Sequence, residues 1–72
     1  GEYGVALDFL DYGMQYYPGE PGFYLYKAEV FLKSGQEGEK EAVLQRFLDV
    51  LERDRDLPQS EREELMDWYR GL

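Results

Sequence analysis

Residues 6–31 read ALDFLDYGMQYYPGEPGFYLYKAEVF, and this stretch decides the fold. Two apolar helical segments meet at a Pro-Gly joint. Pro18 and Gly19 end the first, as Pro and Gly past a helix terminus usually do. Pro21 suits the first position of the second, where its missing N–H would have no partner anyway.

The first helix is expected from about Glu2 to Tyr17. Its polar and glycine positions, Gly4, Asp8, Asp11 and Gln15, fall on one line. One apolar stripe is Tyr3, Leu7, Leu10 and Met14, and a second is Val5, Phe9, Tyr12 and Tyr16. Ala6 and Gly13 form a narrow third, where a neighbouring helix can approach closely. A surface helix ordinarily carries one apolar face of roughly 100°. This one is apolar over most of its circumference and so expects neighbours on two sides.

The second helix is expected from Glu20 or Pro21 to Ser34, with Gly35 as a left-handed residue past its end. Tyr24, Ala28 and Phe31 form one stripe, with Leu25 and Leu32 beside it. Glu29 and Lys33 stand four apart in the favourable order for an ion pair. Residues 35–39 (GQEGE) then read as a loop. The third helix is expected from about Lys40 to Asp54, with Val43, Phe47, Val50 and Leu51 on its core face and Leu44 and Leu48 widening it.

After RDRDLPQ (residues 53–59), Ser60 and Glu63 have the spacing of a capping box. A fourth helix follows to Arg70, with Leu65, Trp68, Tyr69 and Leu72 on one face. Trp68 and Tyr69 are expected in the core. The predicted fold class is all-α, a single domain over residues 1–72 built of antiparallel helix hairpins.

Composition narrows the function. Seventy-two residues bury only ~60% of the surface the unfolded chain exposes, so the core is thin. The chain has no Cys for a disulfide or thiolate site and no His for general-base work. Sixteen acidic residues against eight basic give a net charge of −8. That charge opposes binding to nucleic acid and to anionic membrane surfaces, and it suits a basic partner. No apolar run approaches the ~20 residues of a membrane span, and no signal peptide is visible. A cytoplasmic location is the default expectation. The chain opens at Gly1 without Met, within a helical pattern, as an excised piece of a longer protein does.

No motif for chemistry stands up. Asp8 and Asp11 share a helix face, but no acid–base partner accompanies them, so they read as a solvated face. Asp54 and Asp56 lack the Gly and distal Glu of a calcium loop, and GQEGE lacks the Gly-Lys-Ser/Thr of a phosphate loop. Tyr12, Tyr16, Tyr17, Tyr24 and Tyr26 are the residue type that stacks on bases, but the acidic charge argues against it. They are expected to pack at helix contacts. The chain is thus expected to be no enzyme and to hold no cofactor or metal.

The spacing from Ala6 to Phe31 resembles the tetratricopeptide repeat. The first helix resembles the second helix of a repeat. Ala6 and Gly13 fall at the small positions, Leu10 at an aromatic one and Pro18 at the closing Pro. The second helix resembles the first helix of the next repeat, with Tyr24, Ala28 and Phe31 at aromatic, small and aromatic positions. Gly35 falls in the turn. The match loosens beyond, where Lys27 replaces the usual Leu, Val43 and Phe47 fit the pattern only with about three residues inserted in the loop before them, and Pro58 arrives three residues late. The fourth helix resembles the solvating helix that caps such arrays.

The resemblance implies a partial array of an α-solenoid that binds a protein or peptide partner, mainly on the face of the second helix. Leu25, Glu29, Leu32 and Lys33 are its candidate residues there. The places where one subclass carries Lys and Asn for C-terminal carboxylates hold Leu25 and Glu29, so that mode is not expected. The resemblance carries a second implication. A helix like the first one normally packs on the first helix of its own repeat, which this sequence does not contain, so Val5, Phe9, Tyr12 and Tyr16 are expected to lack an obvious partner. An upstream repeat, a second copy of the chain, another partner, or a fourth helix folded back can cover them. The leading reading is an interaction scaffold, and the alternative is a homodimerising or array-capping segment.

Overall fold

A computed structural model describes residues 2–72 as four helices: α1 (Glu2–Tyr16), α2 (Pro21–Lys33), α3 (Glu37–Arg53) and α4 (Gln59–Arg70). No strand occurs among the described residues. The all-α class and the succession of helices joined by short turns agree with the sequence.

The α1–α2 joint forms as the Pro-Gly signal predicts. The Glu20 amide donates to the Tyr17 carbonyl at 3.1 Å. Glu20 then serves as the N-cap of α2, its carboxylate accepting from the Gly22 amide at 3.3 Å, with Pro21 in the first turn. At the other end of α2 the Gln36 amide reaches the Phe31 carbonyl at 2.8 Å and the Gly35 amide reaches Leu32 at 3.2 Å. This paired closure requires a left-handed residue past the helix end, and Gly35 supplies it at φ 76°.

Two boundaries differ from expectation. The segment read as the loop GQEGE is helical from Glu37 onward. Gly35 alone makes the reversal, and Glu37 and Glu39 then lie in the first turn of α3, where carboxylates are favoured by the helix dipole. The Ser60–Glu63 capping box does not form either. Pro58 is the N-cap, with no side-chain cap bond, and its extended backbone (φ −57°, ψ 145°) starts α4 ahead of Ser60. The Pro58 carbonyl accepts from the Arg62 amide at 3.0 Å.

The core lies between α2 and α3. Leu25, Ala28 and Phe31 from α2 meet Val43, Leu44, Phe47 and Leu51 from α3. α4 closes over it, with the Tyr69 ring stacked on Phe47 at 5.6 Å between centroids. Trp68 meets Tyr26 edge-on at 4.6 Å and donates its indole N–H to the Glu29 carboxylate at 2.8 Å. That bond takes the Glu29 carboxylate, and the expected Glu29–Lys33 ion pair is not among the ion pairs of the described residues. Arg62 reaches back to the end of α3, donating to the carbonyls of Leu51 (3.1 Å) and Asp54 (2.7 Å), groups that a helix terminus leaves unpaired.

Lys40 is a buried cation within this frame. Its side chain is 9% exposed, and its ammonium contacts the Glu37 carboxylate at 3.0 Å and the Leu72 carbonyl at 2.9 Å. The hydrogen bond to Glu37 outweighs the opposing effect of burial and holds the Lys40 pKa above its ordinary 10.5. A group whose pKa is raised by folding contributes stability that is complete below its unfolded value and lost as the pH passes the folded one. The stability difference between the native chain and Lys40→Met is therefore expected to hold steady up to about pH 10 and to shrink above it. Paired melting curves against pH check this. A difference that stays flat to about pH 11.5 removes the Glu37 contact from the account.

Candidate interaction face

α1 packs on α2 along one side only. Leu7 touches the core, and Leu10, Gly13 and Met14 are half-buried, but no residue of α1 is fully buried. Gly13 faces the Phe23 ring so closely that a Cβ there would lie 3.0 Å from it. The Lys27 ammonium meets the Asp11 carboxylate at 2.7 Å and ties the two helices together. Asp11 thus belongs to a helix–helix ion pair.

The stripe Val5, Phe9, Tyr12 and Tyr16 lies on the part of α1 that α2 leaves uncovered. Phe9 is 79% exposed and Val5 70%. Tyr12 and Tyr16 are likewise exposed, their rings 4.9 Å apart and tilted at 51°. The Tyr12 hydroxyl donates to that of Tyr16 at 3.5 Å, and this contact raises the Tyr12 pKa above its ordinary 10.0. α4 does not fold back over the stripe, because Trp68 and Tyr69 commit it to α2 and α3. That option for covering the stripe is removed.

Beside the stripe, α1 and α2 enclose a shallow groove of about 460 Å³. Val5, Ala6, Phe9 and Leu10 form one wall, and Tyr26 and Val30 the other. Glu2, Glu29 and Lys33 stand on its rim. The structure therefore brings Val5 and Phe9 together with Glu29 and Lys33, which the sequence placed on separate surfaces.

Leu25 is a correction. It has 0% exposure, enclosed by α2 and α3, and offers no surface to a partner. Leu32, at 38%, is exposed on the same helix. Tyrosine placement agrees in part with the packing expected of all five. Tyr24 packs against the core, Tyr26 meets Trp68 and Tyr17 stacks on Phe23, though Tyr17 and Tyr26 stay more than half exposed, while Tyr12 and Tyr16 are exposed and pair only with each other. Tyr26 and Val30 are the groove residues that sequence reasoning missed. Their position two and six residues after the stripe Tyr24–Ala28–Phe31 began was the available signal, since it puts them on another side of α2.

Among the described residues no helix is long and apolar enough to cross a membrane, and no cluster of His, Cys, Asp and Glu has the makings of a metal site. Comparison with known protein families, with curated proteins and with solved structures finds no match.

Proposed function

We propose that this chain is a non-catalytic helical module that binds another protein or a peptide through the outward face of α1 and the adjoining α1–α2 groove. The observation that carries this is the exposure of four apolar residues in one stripe, led by Phe9 at 79%. Contiguous exposed apolar patches mark interaction sites, whereas single exposed apolar residues need no explanation. The groove adds a concave apolar floor of the kind that receives an anchor side chain. The repeat-like spacing belongs with this proposal: helical-repeat proteins are extended binding scaffolds. The small residues that spacing marks have close neighbours here, Gly13 at the Phe23 ring and Ala28 in the core.

Self-association through the same stripe is the second reading. A two-fold contact needs a self-complementary patch, and the exposed Tyr12–Tyr16 ring pair at the C-terminal end of the stripe is of a type that packs on its own copy.

Phe9→Glu tests both. Because the ring lies outside the core, the substitution is expected to change stability by no more than about 0.5 kcal/mol. Peptides selected from a displayed random library on the native chain are expected to lose at least about tenfold in affinity for the variant. Peptides that bind both proteins alike place the site elsewhere. Light scattering across a concentration series reads the second reading, which requires a dimer in the native chain and a monomer in Phe9→Glu.

A further inference from the structure

Resting on the reading of the α1 face as a docking site, we infer that its occupant is a basic amphipathic helix of a partner protein. Three observations lead there.

The first is shape. The stripe from Val5 to Tyr16 covers about 16 Å of helix axis, about three turns. A helical surface has no free row of backbone donors and acceptors, so it cannot extend a partner strand. A groove between two helices instead takes side chains at helical spacing.

The second is charge. α1 holds Glu2, Asp8 and Asp11 and no basic residue. Asp11 is matched by Lys27, which leaves Asp8 along one edge of the stripe and Glu2 on the groove side. On α2, the rim carries Glu29, bonded to Trp68, and Lys33 at the helix end. Carboxylates therefore edge the stripe on both sides, Asp8 on one and Glu2 and Glu29 on the other with Lys33 the single cation there, within a chain of net charge −8. A second copy brings the same carboxylate-edged face against itself, and like charges across an interface oppose association. A helix with Lys or Arg beside its apolar face meets opposite charge at both edges.

The third is aromatic character. Phe9, Tyr12 and Tyr16 present exposed rings along the stripe from its second residue to its last. Ring faces attract ammonium and guanidinium groups as well as apolar ones. A basic amphipathic helix uses both properties of this surface.

Two synthetic peptides of about 18 residues test the inference, long enough for appreciable helix. Both carry the same Leu/Trp face at i, i+3, i+4 and i+7. One is flanked by Lys and Arg, the other by Glu. Fluorescence anisotropy against the full chain is expected to show the basic peptide binding at least about tenfold more tightly, with affinity falling as salt rises from about 50 to about 500 mM. Phe9→Glu is expected to abolish binding of the basic peptide's apolar face, read as a loss of at least about tenfold. Asp8→Lys, at an exposed position without a bonding partner in the described structure, is expected to narrow the preference severalfold while leaving the melting temperature near that of the native chain.

Equal binding of both peptides, sensitive to Phe9→Glu, overturns the basic partner and leaves the docking face standing. Binding of neither peptide by a chain that forms a dimer broken by Phe9→Glu overturns it in favour of a second copy. Binding of the basic peptide that ignores Phe9→Glu overturns both the inference and the docking face.

Discussion

Phe47→Ala is expected to cost about 3–5 kcal/mol, the range for truncating a fully buried aromatic side chain. Phe47 has 0% exposure, sits among the α2 and α3 apolar residues, and carries the Tyr69 ring on its face. Its loss opens a cavity where the α2–α3 core meets α4. A chain of 72 residues has a total stability of about 4–11 kcal/mol on the usual per-residue scale. The variant is therefore expected to be substantially unfolded near physiological temperature. Urea titration followed by far-ultraviolet circular dichroism measures the change. A loss below about 1.5 kcal/mol means that α4 slides into the space and that Tyr69 is not fixed by Phe47.

The second large effect separates two leucines of one helix. Leu25→Ala is expected to cost about 2–5 kcal/mol, because the side chain is wholly enclosed. Leu32→Ala, at a position 38% exposed, is expected to cost less than about 1 kcal/mol. The pair fixes which side of α2 is core. Similar costs for both place the α2–α3 seam differently from the packing described above.

The sequence carried the number of helices and the first joint plainly, because Pro18, Gly19, Pro21 and Gly35 act through the backbone and need no knowledge of the neighbours. The start of α3 was less legible. Gly38 between two glutamates looks like loop, yet glycine in a first turn is tolerated and those glutamates favour a helix N-terminus. Ser60 misled for the opposite reason, since its capping pattern is sound but Pro58 sets the start of α4 first.

Leu25 shows the limit of periodicity. Tyr24, Leu25, Ala28, Phe31 and Leu32 cover so wide an arc of α2 that the pattern does not say where its centre lies. The contacts decide: α2 meets α1, α3 and α4, and Leu25 falls among the enclosed positions. The α1 stripe was easier. Four apolar residues stood at helical spacing with only a folded-back fourth helix in the chain to cover them, and they are exposed. Partners across the fold were not readable at all. Glu29 bonds Trp68, 39 residues on, and Lys40 reaches Leu72, 32 residues on.

The one-sided seating of α1 also sets the order in which the molecule opens. α2 and α3 hold every fully buried apolar residue of the core, and α1 holds none. Backbone amides of α1 consequently exchange with solvent through partial openings that leave the α2–α3 pair closed, at a free energy below that of global unfolding. A ligand on the outer side of α1 clamps that helix between itself and α2. Occupancy is then recorded as slowed exchange across the whole of α1, including residues the ligand never touches.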